Sequence, residues 1–267
     1  MDSSYKLGKN KKLFELAEFP AINSGDKIGI LYTGGIKSSL VASIAKKIYG
    51  IDNIVFLLIS MDQSSNFGND KEKLACAKKN FEDGVKRLGG KHTFEFDNTC
   101  FTPHQPTFSY ATKKLLAKFK TIKYVISGHS NIHEEAINML EESGWGKGLI
   151  TRGQLTQYLK NNSEKYKELS YYVENLSCPI YFTSNVESFD IVKKDYIDNV
   201  RPLRHLEFVE IVELYNKMNL LGELQHTTSC DKHEDNKHCG KCKNCLQRKY
   251  VFSQAKITDL TNYSFNS

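Results

Sequence analysis

The stretch "KIGILYTGGIKSSLVASIAKKIYG", residues 27–50, decides the fold. Its first seven residues, Lys27 to Thr33, form a short apolar run between "NSGD" and two glycines, the pattern of a fully buried strand. After Gly34 and Gly35, apolar residues recur at Leu40, Val41, Ile44, Ala45 and Ile48, a helical period that stops at Gly50. A buried strand running through a glycine turn into an amphipathic helix is the first half of a βαβ unit.

The pattern repeats outward. "NIVFLLIS" (53–60) predicts a second buried strand, and residues 69–88 a helix closed by Gly89 and Gly90. "HTFEFD" (92–97) predicts a third strand, residues 105–120 a helix, and "KYVISG" (123–128) a fourth strand. Strands separated by helices imply an α/β fold, a parallel sheet with helices on both faces. Residues 133–199 read as mostly helical, with "CPIYFTS" (178–184) as a candidate strand. "EFVEIVELYNKMNLLG" predicts an amphipathic helix from Glu207 to Gly222, and "CLQRKYVFSQA" a shorter one near the end. We read residues 1–267 as one domain with three parts: a nucleotide-binding core (25–132), a helical region (133–200), and a C-terminal module (201–263).

The chain has 267 residues, 40% hydrophobic and 25% charged, with net charge +6. This is ordinary globular composition, and the charge is compatible with a polyanionic partner without demanding one. No apolar run approaches a membrane span, so a cytoplasmic protein is expected. Of seven cysteines, Cys76, Cys100 and Cys178 are scattered, whereas Cys230, Cys239, Cys242 and Cys245 crowd together. That spacing, C-x8-C-x2-C-x2-C, suits a structural tetrahedral zinc with no open position, and four thiolates also suit an iron–sulfur cluster. His233 and His238, inside the same loop, are expected to be solvated.

The glycine turn is placed to receive an anion, because helix N-terminal amides and close backbone approach both favour phosphate. A Walker loop is excluded, since Leu31 and Ile36 occupy its two required glycine positions, and a dinucleotide fingerprint lacks its third glycine. The stretch resembles instead the PP-loop of adenylating ATP pyrophosphatases, strand-SGGxDS-helix. Thr33 stands for the first serine, Gly34, Gly35 and Ser38 match, and Lys37 replaces the aspartate. Joined to Pro202-Leu203, Thr228 to Cys230, the "CGKCKNCLQR" at 239–248, Asp259 and Tyr263, this resembles the QueC family, the 7-cyano-7-deazaguanine synthases.

The resemblance implies an adenine nucleotide alpha-hydrolase-like fold and an ATP-dependent ligase. Such an enzyme adenylates the carboxylate of a 7-deazaguanine acid and transfers it to an amine, with ATP and Mg²⁺ as further expectations. The amine is ammonia on the route to the nitrile, or a protein amine in the anti-phage defence relatives. Carried over residue by residue, Tyr32, Thr33, Gly34, Gly35, Ser38, Ser39 and Gly128 would bind the nucleotide, with Ser60 and Asp62 at adenine and ribose. Lys37, Ser38, His129 and His133 are the candidate catalytic groups. Two departures mark the chain. Lys37 stands for one acid, and "GHSNIH" (128–133) puts His133 where a second acid is expected, with Glu134 one residue late. No "YPDC" pocket segment is found. These departures also suit a non-catalytic nucleotide-binding module; the positive charge and the resemblance to PP-loop relatives that modify tRNA leave a tRNA-modifying enzyme as a lesser alternative, although no separate nucleic-acid-binding domain is visible. A homodimer is compatible with the sequence.

Overall fold

The computed structural model describes residues 2–9, 11–60, 71–97, 115, 117–128, 130, 149–150, 180–181, 198–230 and 237–264. The central strand β3 (Lys27–Leu31) is buried along its middle three residues, as its apolar run requires. It pairs in parallel with β4 (Ile54–Ser60) on one side and β6 (Ile122–Ser127) on the other. Gly29 makes this possible: a Cβ there would meet Leu57 Cδ1 at 2.8 Å and Val125 Cγ2 at 3.2 Å, so the neighbouring strands' side chains occupy its place.

Five strands form the main sheet in the order β5 (His92–Asp97), β4, β3, β6, β9 (Asp198–Val200), all parallel. The chain winds outward from β3 to β5 and then returns to the opposite side of β3. The winding direction therefore reverses between β3 and β6, which opens a crevice at their carboxyl ends. Reversal also places helices on both faces. Helices α1 (Ile36–Tyr49) and α2 (Lys71–Leu88) cover the face carrying Ile28, Ile30, Phe56 and Ile126, while Leu115 and Phe119 cover Val55, Leu57 and Val125. Of the helix expected over 105–120, residues 115, 117 and 118 are helical, and 105–114 and 116 lie outside the described residues.

Three features depart from the sequence reading. Before the sheet, β1 (Ser4–Leu7) and β2 (Lys12–Glu15) form an antiparallel hairpin, burying Tyr5, Leu7 and Phe14. The region expected to be mostly helical holds the fifth strand β9, besides a short antiparallel pair, β7 (Leu149–Ile150) with β8 (Ile180–Tyr181), that realises the strand expected within 178–184. Finally, helix α3 (Phe208–Lys217) stops before Gly222. Asn219 takes the left-handed conformation (φ 54°) and Leu220 N–H bonds back to Tyr215 O at 2.8 Å, so an asparagine supplies the helix terminator. Gly222 instead falls within the short helix α4 (Leu221–Leu224). A final helix, α5 (Lys243–Ala255), packs on α3.

The hairpin is fastened to α3 by polar contacts. Gly8 N–H donates to Glu213 Oε2 at 2.8 Å, and the Lys12 ammonium lies 3.2 Å from Glu207 and 3.4 Å from Glu210. Glu207 and Glu210 close a capping box at the start of α3, with Glu207 N–H donating to Glu210 Oε2 at 2.8 Å. Among the described residues no helix is long and apolar enough to cross a membrane.

Tyr32, just past β3, is fully buried, with its ring edge-on to Phe56 at 5.4 Å and tilted against Phe81 at 6.2 Å. A Cβ at Gly84 of α2 would strike the Tyr32 hydroxyl and approach Cε1 to 2.6 Å. Helix propensity alone favours alanine by about 1 kcal/mol. Because the wedged ring cannot move aside, we expect Gly84→Ala to destabilise by about 1–3 kcal/mol in urea unfolding; an unchanged or raised midpoint would refute this packing.

Candidate functional site

The glycine turn has a built interior and an open outer side. Gly34 adopts φ +75°, and a Cβ there would lie 2.9 Å from the Asn80 carbonyl oxygen, so both conformation and space demand glycine. Gly35 caps α1 in an extended conformation without a side-chain hydrogen bond. The Ser39 N–H bonds to Gly35 O at 2.9 Å, which places the amides of Ile36, Lys37 and Ser38 ahead of that bond, at the positive end of the helix dipole.

Within the turn, Thr33 N–H donates to Ser38 Oγ at 3.2 Å and the Ser38 hydroxyl donates to Gly35 O at 3.1 Å. The Thr33 and Ser38 hydroxyls are 3.1 Å apart, and Thr33 is exposed. Ser39 and Tyr32 face the other way: the Ser39 hydroxyl donates to the Tyr32 oxygen at 3.3 Å inside the core. Burial comes first among the influences on Tyr32, and it pushes the phenol above its ordinary value. The structure thus brings Thr33, Gly34, Gly35 and Ser38 together in the turn, with Thr33 exposed and Ser38 buried, and sets Tyr32 and Ser39 in the core.

Across the crevice, the end of β6 presses on α1. A Cβ at Gly128 would lie 2.8 Å from Lys37 C and 2.9 Å from Ser38 N, so this glycine is required by close backbone approach. Lys37 reaches over the gap. Its ammonium donates to Ser130 Oγ at 2.9 Å and lies 4.9 Å from the centre of the Phe208 ring. Desolvation lowers its pKa to about 8. Ser60 ends β4 at the same edge of the sheet, paired with Asp97. Asp62, His129 and His133 lie outside the described residues.

The C-terminal cysteines converge as their spacing predicts. The sulfurs of Cys230, Cys239, Cys242 and Cys245 all lie within 4.8 Å of one another, with Cys239 to Cys245 at 4.0 Å and Cys242 to Cys230 at 3.9 Å. A tetrahedral ion with metal–sulfur bonds of about 2.3 Å needs sulfurs about 3.8 Å apart, so the cage fits one metal ion. Cys239 N–H donates to Cys230 Sγ at 3.3 Å, and Cys242 N–H to Cys239 Sγ at 3.2 Å, orienting two of the ligands. The sulfurs of Cys230 and Cys242, together with burial, push the Cys245 thiol far above its usual range. Four thiolates can crowd this closely only around a cation. His238 is buried, not solvated as expected. Its backbone exchanges hydrogen bonds with Asn262 and Ser264, each at 2.8 Å, and its ring meets Tyr263 edge-on at 5.8 Å. His233 lies outside the described residues.

A fully buried arginine organises the module. Arg248 donates to Thr227 Oγ1 at 2.7 Å, Leu224 O at 3.1 Å and Ser229 Oγ at 3.4 Å, and meets both Asp259 oxygens at 3.1–3.2 Å. Burial works to raise the Asp259 pKa, but the Arg248 charge and hydrogen bonds from Arg248, Tyr263 and Thr261 outweigh it and hold the carboxyl below its ordinary value. The segment so fixed joins the glycine turn directly: Thr228 N–H donates to Gly34 O at 2.9 Å. Sequence reasoning named the motif residues but missed this junction and the Lys37 contacts to Ser130 and Phe208, because nothing in a sequence marks pairs so far apart.

Comparison with known proteins agrees with the C-terminal half of this picture. Residues 169–256 match the family described as queuosine biosynthesis protein QueC. The 7-cyano-7-deazaguanine synthase of Methanococcus maripaludis strain S2 is 41% identical over 69 residues, which span 24% of this chain and 30% of that protein. The Methanococcus vannielii enzyme is 39% identical over 67 residues, 23% of this chain and 29% of that protein. The aligned stretch thus spans under a third of these relatives' length. Among solved structures, the U34-tRNA thiolase NcsA of Methanococcus maripaludis, with its [4Fe-4S] cluster, gives a TM-score of 0.36 at 11% identity, covering 94% of this chain and 71% of that one. An NH3-dependent NAD synthetase from Campylobacter jejuni gives 0.33 at 14% identity, covering 76% and 68%. At such scores the fold rests on the observed sheet order. Over residues 169–256 the chain is similar to the QueC family, and the family match is confined to that segment.

Proposed function

We propose that this protein is an ATP-dependent ligase that adenylates the carboxylate of a 7-deazaguanine-type acid and passes the acyl group to an amine. The observation that carries this reading is the Thr228 to Gly34 hydrogen bond, which builds the QueC-like segment onto a turn suited to phosphate. In the reaction, a carboxylate oxygen attacks the α-phosphorus of ATP as the bond to pyrophosphate breaks. The amine nitrogen then attacks the acyl carbon, loses a proton and displaces AMP. The chain's part is to hold the two reactants in line and to meet the charge growing on pyrophosphate. The amides at the start of α1, with Thr33 and Ser38, serve the phosphates; Ser60 and Asp62 serve the adenosine, and Lys37, His129 and His133 are the further catalytic candidates.

The acceptor is ammonia, a second activation then converting amide to nitrile, or a protein amine as in the defence-associated relatives. The absence of an acid at position 37 favours one other reading, a nucleotide-binding module that has lost catalysis. A tRNA-modifying role has weaker support.

The four-cysteine cage is proposed to hold zinc in a structural role, since all four positions are filled by protein sulfur and none is left for a water. The cage is also tighter than one that must place several irons between its sulfurs. A reduced set of this kind fits a cytosolic setting. Knuckles of this kind owe much of their folding energy to the metal. We therefore expect about one zinc per chain by elemental analysis, and insoluble protein on Cys242→Ser. Stoichiometric iron with a brown colour would overturn the zinc assignment.

Incubation with ATP, Mg²⁺, 7-carboxy-7-deazaguanine and ammonia is expected to release pyrophosphate and AMP in equal amounts. If neither product forms, with ammonia or with candidate acceptor proteins present, the ligase reading fails and the binding module replaces it.

A further inference from the structure

Doubly wound sheets hold their ligands where the winding reverses, which here is the crevice between β3 and β6. Lys37 spans that crevice. Its backbone belongs to α1, which follows β3, and its ammonium is hydrogen-bonded at 2.9 Å to Ser130, which follows β6. From the third side, α3 contributes only the Phe208 ring, 4.9 Å away. The groups that face the ammonium from these elements are therefore a hydroxyl and an aromatic face. Among the described residues no carboxylate oxygen lies within 4.0 Å of it.

This arrangement is costly in the free protein. A desolvated ammonium with no counter-ion among the described residues is unfavourable, and its position in the first turn of α1 sets it against the helix dipole. Both costs reverse when an anion enters the crevice, because the ammonium and the leading amides of α1 then act on the same charge. The Ser130 contact and the Phe208 ring hold the ammonium there beforehand, so little side-chain freedom remains to be lost on binding.

We propose that Lys37 is a built-in counter-charge for the phosphates of a nucleotide held in the β3–β6 crevice, allowing the nucleotide to bind without a divalent cation. The inference rests on the reading of the glycine turn as a nucleotide site and goes further in saying what neutralises the ligand there.

The test is ATP binding by calorimetry to the full chain, with Mg²⁺ and with excess EDTA. Wild-type protein should bind in EDTA. Lys37→Met keeps an unbranched apolar side chain but removes the charge, and should weaken metal-free binding by about tenfold or more. Lys37→Arg should keep it. Raising the pH through about 8 discharges the lysine, so metal-free affinity should fall for wild type and hold for Lys37→Arg.

Melting of the free proteins gives an independent readout. The folded-state pKa lies below the ordinary 10.5, so between about 8 and 10.5 the unfolded chain binds the extra proton and this group's contribution to stability rises with pH. Lys37→Met should therefore melt above wild type at neutral pH, with the advantage shrinking in alkali. Binding that requires Mg²⁺, or that Lys37→Met leaves unchanged, overturns the proposal while leaving the nucleotide reading in place. Absence of ATP binding under both conditions overturns the nucleotide reading, and this proposal with it.

Discussion

The structure depends on one buried charge. Arg248 has no exposed surface, and its guanidinium is spent on Asp259, Thr227, Ser229 and the Leu224 carbonyl. A guanidinium taken out of water is tolerable only when its donors are met and a carboxylate faces it. Satisfying it forces the residues after α4, the start of α5 and the chain near 259 into one frame. Cys230 is delivered to the metal cage by that frame, and Thr228 is delivered to Gly34. Lysine could not replace it, since a single ammonium lacks the planar fork that serves several partners at once.

The crevice shows the opposite economy. Where Arg248 is fully compensated, Lys37 is held among neutral groups, and Gly128 lets the β6 end close down on the first turn of α1. Strain of this kind is tolerated where a ligand removes it. One buried cation, Arg248, thus organises the C-terminal module, while Lys37, half-buried at the start of α1, has no counter-ion among the described residues.

Much of this was readable in the sequence where a local pattern carries the physics. The β3 run is unambiguous because burial on both faces demands continuous apolarity; the apolar period locates α1, but the structure buries every residue from Ser38 to Ala45 and leaves Ile48 exposed, so the helix is enclosed there and not half-buried along one stripe. The cysteine spacing is equally direct, since metal geometry allows few alternatives. The hairpin escaped notice because each strand has only four residues, and its buried set, Tyr5, Leu7 and Phe14, is too short to show a period. The polar strand Asp198–Val200 exists because β6 offers it an edge, which no local signal records. Gly222 looked like a helix terminator, but Asn219 reaches the left-handed conformation three residues earlier. Of the site, the turn residues are legible in the sequence; that Ser38 and Ser39 are both buried and leave Thr33 as the exposed hydroxyl is not.

The hairpin's docking on α3 bears on how the chain is made. Gly8 and Lys12 are secured by Glu207, Glu210 and Glu213, while Gly34 and Ile36 receive bonds from Thr228 and Tyr215. Gly8 therefore waits for Glu213, 205 positions further along the chain. Contacts so distant in sequence slow folding, because a long loop must close before they contribute anything. The glycine turn gains its bonds from Thr228 and Tyr215 only after the C-terminal module has emerged and docked, so a nascent chain truncated before it would carry a sheet whose first turn is not yet tied down.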